Sequence, residues 1–151
     1  MILCRPAIPN DLPYLVEGNQ GIAQETEQWT LSKSTLTSGI EAVFQDTNKG
    51  TYWVASDDTG IVGQLLITFE WSDWRNGQTW WIQSVYVWPR ARRQGVFRAL
   101  LAAVTQKAQM AEVVELRLYA DTSNQTAHQT YLNQGFETGH YQVFEKPLNP
   151  N

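Results

Sequence analysis

The sequence predicts an α+β fold with a mixed central sheet, and three observations support that class. The chain has 151 residues, enough for one domain with a sizeable core, so we expect residues 1–151 to form a single domain. Three β-rich segments, at 51–56, 61–71 and 79–88, are separated by the turn sequences DDTG and NG, which predicts an antiparallel meander. A helical pattern then precedes another alternating segment, and such a passage favours a parallel crossover.

Before the meander, the sequence predicts one strand and two helices. Residues 1–7 form the strand and residues 9–18 the first helix, with Asn10 as its N-cap and Pro13 in its first turn. The polar stretch from Gln20 to Ser34 has no strong period. Apolar residues at helical spacing then predict the second helix, at Leu36, Ile40, Val43 and Phe44.

After the meander, we expect a helix, a strand, a last helix and a final strand. Residues 113–120 alternate as a half-buried strand does, residues 122–134 suit a helix ended by Gly135 at its C′ position, and residues 139–146 alternate again. For the final strand two alternatives stay open: it pairs with a second copy in a homodimer, or Lys146-Pro147 blunts its edge. The helix that follows the meander has one apolar face, formed by Phe97, Leu100, Leu101, Val104 and Ala108.

Composition limits the classes of partner. The net charge is −4 and the pI about 5.1, with one basic cluster and no second, so we expect no nucleic-acid binding. No apolar run approaches the ~20 residues that cross a bilayer, and no export signal is evident, so we expect a cytoplasmic protein without a membrane partner. One cysteine, Cys4, and two distant histidines predict no metal site.

The one basic cluster lies where the meander gives way to a helix, in the sequence RARRQGVFRALL. Gly95 precedes this helix, and the amides that begin a helix lack intrahelical acceptors, so they form an anion site together with the helix dipole. Glycine lets the main chain approach the anion closely. Arg92, Arg93 and Arg98 add charge-assisted hydrogen bonds that suit a pyrophosphate. A solvated basic helix end is the alternative interpretation.

Two spaced motifs resemble the GNAT superfamily of acyl-CoA-dependent acyltransferases. In RRQGVF, Arg92 and Gly95 match the family's pyrophosphate loop of Gln or Arg, two residues, Gly, one residue, then Gly or Ala, while Phe97 departs from its small last residue. The sequence NQTAHQTYLNQGF matches a second family motif, through Asn124, Ala127, Tyr131 and Gly135-Phe136. The element order also matches over nearly the whole chain.

This resemblance implies a GNAT-like sheet of about six to seven strands flanked by about four helices, and acetyl-CoA as co-substrate. In the family the cofactor lies between two strands that splay apart, and a β-bulge in the strand before the loop frees main-chain groups for the pantetheine arm. The residues so assigned to the cofactor are Val85, Tyr86, Val87, Arg92, Arg93, Gln94, Gly95, Val96, Phe97, Arg98, Asn124, Ala127 and Tyr131.

The resemblance also implies acetyl transfer to a primary amine of a small molecule or peptide. Tyr131 matches the tyrosine that commonly donates a proton to the departing sulfur, with packing on a helix face as the alternative. The strand before the loop offers Gln83 and Ser84 where many relatives have a glutamate, so Glu70 on the preceding strand is our candidate base, acting through water, and Asp73 is a second choice.

Acidic and aromatic residues define the predicted acceptor side. They favour a cationic amine, through charge and cation–π contact. Five tryptophans lie in and beside the last two strands of the meander, and packing in the core or on the sheet is the role expected of most of them: Trp71, Trp74, Trp80, Trp81 and Trp88. Tyr86 faces either the substrate or the core. A GNAT-fold regulatory module that binds acyl-CoA without turnover remains the alternative function, because the strand carboxylate is missing. The residues assigned to the acceptor are Trp29, Glu70, Trp71, Asp73 and Gln83.

Overall fold

Five strands and four helices make up the regular structure in the part of the chain that a computed structural model describes, residues 1–27 and 30–149. They divide between two compact units, Met1–Tyr119 and Ala120–Asn151, with only the last helix in the second. In chain order the elements are β1 (Leu3–Pro6), α1 (Leu12–Ile22), α2 (Lys33–Gln45), β2 (Thr51–Asp57), β3 (Gly60–Ser72), β4 (Gly77–Val87), α3 (Val96–Met110), β5 (Glu115–Arg117) and α4 (Gln125–Asn133).

The strands form one mixed sheet in the order β1-β2-β3-β4-β5. The first four are antiparallel neighbours, and β5 is parallel to β4 because α3 crosses over between them. The predicted α+β class, the meander and the parallel crossover are therefore confirmed. None of the described helices has both the length and the apolar character needed to span a membrane.

The predicted number of strands is wrong within the described residues, where the sheet has five. β5 covers three residues of the eight expected, and residues 139–146 form no strand. In that segment Tyr141 and Val143 are exposed, and so is Phe144 on the alternate face. Alternation predicts a strand because one face becomes buried, and here no burial offsets the cost of ordering the segment.

The two sides of the sheet are covered by different helices. Leu15 of α1 and Ile40 of α2 share a core cluster with Tyr52 of β2. On the opposite side α3 approaches β3 so closely that a Cβ on Gly63 would lie 2.5 Å from the Val96 side chain. The sheet thus separates two layers of helix, and the segment that joins β4 to α3 leads from the sheet to the layer formed by α3.

The start of α1 differs from the prediction that Asn10 caps it. Pro9–Asp11 form a 3-10 turn, and the helix begins at Leu12. The Asp11 carboxylate accepts a hydrogen bond from the Ile8 amide at 2.8 Å and two from the Arg5 guanidinium, at 2.7 and 3.1 Å. Asp11 rather than Asn10 therefore fixes the start of α1, because its carboxylate accepts from the Ile8 amide and pairs with Arg5 of β1.

We expect Asp11→Ala to lower the free energy of unfolding by about 2 kcal/mol at pH 7, because a part-buried amide and a guanidinium lose their acceptor. Burial by itself raises the pKa of Asp11, but the bonds from Arg5 and Ile8 outweigh it, so the folded pKa lies below its ordinary value. The stabilisation is thus complete above the unfolded pKa of about 3.9 and is lost as pH falls through the folded pKa. Urea titrations from pH 7 to pH 2 measure both effects.

Asp58→Ala is the matched control for that substitution. Asp58 is exposed in the β2–β3 turn, so its removal should leave the midpoint of unfolding nearly unchanged. An Asp11→Ala protein that unfolds at the same urea concentration as the control would contradict the role given to this carboxylate.

Candidate active site

The loop that leads into α3 has a left-handed backbone at two positions. Gly95 is the N-cap residue with φ 80° and ψ 20°, and Arg93 has φ 64°. A Cβ on Gly95 would meet no atom within 4 Å, so the positive φ is what favours glycine here, and the outer side of the loop faces open space. The first intrahelical bond runs from the Ala99 amide to the Gly95 carbonyl at 3.0 Å. Amides at the start of α3 therefore have the geometry of an anion site.

The arginines assigned to this loop differ in what they contact. Arg92 donates through Nη2 to both carboxylate oxygens of Glu25, at 2.8 and 2.9 Å, and through Nε to the Val87 carbonyl at 2.9 Å. Arg93 and Arg98 are exposed, and within the described residues neither has a hydrogen-bond or ion-pair partner. Arg92 thus shapes the loop, while Arg93 and Arg98 remain available to an anion.

Arg90, which the sequence did not assign to the site, ties the loop to the β2–β3 turn. Its guanidinium donates to the Ile61 carbonyl at 3.1 Å and to the Thr59 hydroxyl, and lies 3.8 Å from the Asp57 carboxylate. These partners lie about thirty residues earlier, so the local sequence contains no sign of the contact. The bonds fix where the loop leaves the sheet.

Glu25 and Tyr86 form a cluster with Arg92 beside this loop. The Arg92 guanidinium carbon lies 5.5 Å from the centre of the Tyr86 ring, and a Cβ on Gly21 of α1 would lie 2.6 Å from that ring. Burial, followed by the nearby Glu25 carboxylate, raises the pKa of the Tyr86 hydroxyl. Tyr86 therefore faces α1 and is protonated at neutral pH. Sequence reasoning missed Glu25 because its partner lies 67 residues away.

A β-bulge interrupts the pairing of β4 with β3, as the resemblance implied. Gln64 is opposite Tyr86 and Leu66 is opposite Gln83, so the two residues between them on β4 face one on β3. Ser84 within the bulge has φ 50°. The prediction of a bulge in this strand is confirmed.

On its other side, β4 loses its partner strand before the bulge. Its pairing with β5 ends at Trp81 and Arg117, and within the described residues no strand pairs with that edge of β4 from residue 82 to 87. Main-chain groups near Val85 thus lie outside the regular ladders on both sides. Such an edge can accept an extended ligand as a surrogate strand.

The residues assigned to the acceptor are scattered. Glu70 lies on β3, where its carboxylate is 3.2 Å from Arg117, and Trp71 next to it points to the other face of the sheet. The Asp73 carboxylate accepts from the Trp74 amide in the hairpin turn at 3.0 Å. Gln83 donates to the Thr68 hydroxyl. Glu70 and Gln83 share a face, because each is on the side of Thr68.

Trp29 lies outside the described residues, and three further assigned residues lie in the second unit. There the Asn124 side chain caps α4 by accepting from the Ala127 amide at 3.1 Å. Gly135 has φ 92°, as expected for the C′ position, and the Tyr131 and Phe136 rings are 6.2 Å apart. Burial raises the pKa of Tyr131, so its hydroxyl is protonated at neutral pH and able to donate.

Comparison with known proteins agrees with this architecture. The family model described as Acetyltransferase (GNAT) family matches residues 20–136. The crystal structure of a possible acetyltransferase from Clostridium difficile 630 is 36% identical to the chain, with a TM-score of 0.91 and coverage of 99% of each chain. Among curated proteins, none matches significantly.

Two more distant structures show the same fold. One is a predicted acetyltransferase with acetyl-CoA from Clostridium acetobutylicum, 19% identical, with a TM-score of 0.76 over 97% of this chain and 96% of that one. The other is AAC(6')-Iy in complex with the bisubstrate analog CoA-S-monomethyl-acetylneamine, 16% identical, with a TM-score of 0.81 over 97% and 98%. At these identities the likeness extends to the fold alone.

Proposed function

Because the chain belongs to the GNAT acetyltransferase family, we propose that it transfers the acetyl group of acetyl-CoA to a primary amine of a small molecule or peptide. The observation that carries the proposal is the left-handed Gly95 loop at the start of α3, which directly follows the bulged strand β4. Beyond Trp81, the edge of β4 that faces away from β3 has no partner strand among the described residues. A diphosphate suits the loop and an extended pantetheine suits the strand edge. The solved relative with acetyl-CoA supports the choice of cofactor.

The reaction needs three proton movements. An alkyl ammonium with a pKa of about 10.4 must lose a proton before its nitrogen attacks the thioester carbonyl. A carbon–nitrogen bond then forms, the nitrogen loses a second proton, the carbon–sulfur bond breaks, and the sulfur leaves as a thiolate that takes a proton, so that one proton is released overall. Tyr131 is the donor we assign, since its hydroxyl is protonated at neutral pH.

The proton from the amine has no carboxylate on β4 to receive it. Glu70 is four residues along β3 from Leu66, the partner of Gln83, which is about 13 Å at a rise of about 3.3 Å per residue. A base acts within hydrogen-bond reach or through one water. Measured from the Gln83 position, Glu70 lies beyond that reach, so it serves as base only for an amine that binds near its own end of β3. Its pairing with Arg117 gives it a second role in holding the sheet edge.

The acceptor we propose is cationic. Tyr86 and Trp81 present aromatic rings on the side of the sheet that α1 covers. Glu25 and Glu70 add carboxylates there, each of them paired with an arginine. Aromatic rings favour an ammonium ion, and a carboxylate does so where an amine takes the place of its arginine. The bisubstrate analog in AAC(6')-Iy, which joins CoA to an acetylated amino compound, supports an amine as acceptor.

The test is turnover of acetyl-CoA with a panel of amines. Thiol release is followed with a disulfide reagent, and the acetylated product is identified by mass spectrometry. We expect product with at least one small or peptide amine, and none with the corresponding alcohols. Tight acetyl-CoA binding without product from any amine would favour the regulatory module instead, an outcome that the absence of a β4 carboxylate makes worth testing.

Arg93→Gln should weaken acetyl-CoA binding about fivefold without changing the thermal midpoint, because Arg93 is an exposed residue of this loop and has no hydrogen-bond or ion-pair partner among the described residues. Raising the salt concentration should shrink the difference from wild type. Isothermal calorimetry at two salt concentrations measures both.

Arg92→Gln is the matched comparison. It removes a charge one residue away, but Arg92 is paired with Glu25 and Val87, so we expect lower thermal stability together with weaker binding. Equal affinity of wild type and Arg93→Gln would place the anion away from this arginine.

A further inference from the structure

Gln64 is an amide buried in an otherwise apolar stretch of β3. It is 0% exposed, and its strand neighbours from Ile61 to Ile67 are apolar. Its Nε2 donates to the Ser84 carbonyl at 3.0 Å, while its Oε1 has no hydrogen-bond partner among the described residues. An apolar side chain of this size would occupy the position without desolvating an acceptor. The amide therefore does something that packing does not require.

The carbonyl that this amide contacts belongs to the bulge. Ser84 is in the left-handed region at φ 50°, which is unfavourable for a residue with a Cβ. The bulge also takes Ser84 and Val85 out of register with β3. The amide of Gln64 donates to the Ser84 carbonyl at this irregular point. The opposite orientation would place two acceptors against each other, so chemistry fixes which end faces the carbonyl.

Helix α1 holds the amide against the bulge from the other side. A Cβ on Gly18 would lie 2.1 Å from Gln64 Oε1 and 2.6 Å from its Cδ. The same Cβ would approach the Trp88 ring at 3.1 Å. Only glycine allows the helix to close over the amide at this distance, so Gly18, Gln64 and Ser84 form one stack from helix to bulge.

We propose that Gln64 is a positioning residue that keeps the β4 bulge formed for the pantetheine arm of the cofactor. The inference rests on the proposed function, in which that arm lies along β4. With the Ser84 carbonyl bound on the α1 side, the main chain at Val85 is kept out of the ladder and available at the unpaired edge. Without the amide, nothing on the α1 side offsets the cost of the left-handed conformation of Ser84, so the bulge and the main chain at Val85 are less firmly held.

Gln64→Met tests this, since methionine keeps the length of the side chain and removes the donor. We expect acetyl-CoA to bind about tenfold more weakly, the loss expected for one main-chain hydrogen bond. Adenosine 3′-phosphate 5′-diphosphate, the nucleotide half of the cofactor, should bind as it does to wild type, because it does not reach the bulge. Ile67→Val is the matched control, a buried change on β3 that leaves the bulge untouched, and it should affect neither ligand.

A second substitution separates positioning from packing. Ser84→Gly removes the cost of the left-handed conformation, so adding it to Gln64→Met should restore most of the acetyl-CoA affinity. If Gln64→Met does not fold, Gly18→Ala displaces the amide from the helix side and should give the same selective loss. Equal weakening for the nucleotide half, or no recovery with Ser84→Gly, would overturn the proposal. Wild-type protein that fails to bind acetyl-CoA would instead refute the proposed function.

Discussion

Replacing Gly95 by aspartate is expected to weaken acetyl-CoA binding by more than a hundredfold. The new carboxylate would lie at the N-cap of α3, in the open space beside the loop, where the diphosphate is proposed to bind. It would place a negative charge beside the amides that begin the helix, and it would repel the phosphates. Loss of two charge-assisted hydrogen bonds at about 1.5 to 3 kcal/mol each gives this magnitude.

Gly95→Asn separates charge from backbone strain in this experiment. Asparagine tolerates a left-handed φ better than most residues and carries no charge, so it should keep affinity within about tenfold of wild type. Calorimetry with acetyl-CoA on the three proteins, with thermal unfolding measured in parallel, distinguishes weak binding from poor folding. If Gly95→Asp binds acetyl-CoA as tightly as the wild type, the cofactor lies elsewhere.

Elements with a local cause could be predicted from the sequence. The meander follows from alternation and turn residues, and α3 follows from its apolar face. The left-handed glycine at the end of α4 was also predicted, because a helix C′ position needs a residue without a Cβ penalty. These features depend on a few neighbouring residues, so a single sequence contains the information. At Gly95 the sequence predicted a close approach to an anion but not the left-handed backbone that the structure shows.

Elements that depend on distant partners could not be predicted in the same way. Residues 139–146 alternate as a strand does but have no partner strand within the described residues, and the length of β5 is set by how far it follows β4. Asp11 replaces Asn10 at the start of α1 because Arg5 of β1 is close enough to pair with it. Alternation and cap preference indicate which structure a segment can form. Contacts with residues distant in the sequence determine whether it forms.

The same limit applies within the candidate site. The sequence places four arginines near Gly95 but does not tell which of them pair with other residues. Arg92 is paired with Glu25, which lies just after α1 in the chain. Gln64 and Ser84 are twenty residues apart and carry no motif. The contacts that shape the loop and the bulge are therefore long-range, whereas the residues proposed to touch the ligand are local and could be read from the sequence.

Tyr131→Phe should lower kcat about a hundredfold, the lower end of what a positioned acid contributes, while the KM for acetyl-CoA changes by less than about threefold. Phenylalanine keeps the ring contact with Phe136 and removes only the hydroxyl. Burial raises the pKa of Tyr131 above its ordinary value of about 10. A group with a raised pKa stays protonated as pH increases, so wild-type kcat should show no alkaline loss attributable to this residue until the pH exceeds that value.

Tyr141→Phe is the control, because Tyr141 lies in the same unit and is 73% exposed. It should turn over acetyl-CoA at the wild-type rate. A thiolate leaves without a proton donor when its thiol has a low pKa. An acetyl thioester of such a thiol should therefore restore much of the rate of Tyr131→Phe. It should restore little of the rate of a variant that binds the cofactor poorly. Full activity of Tyr131→Phe with acetyl-CoA would remove the acid assignment and leave Tyr131 as a residue that packs α4 against the turn that follows it.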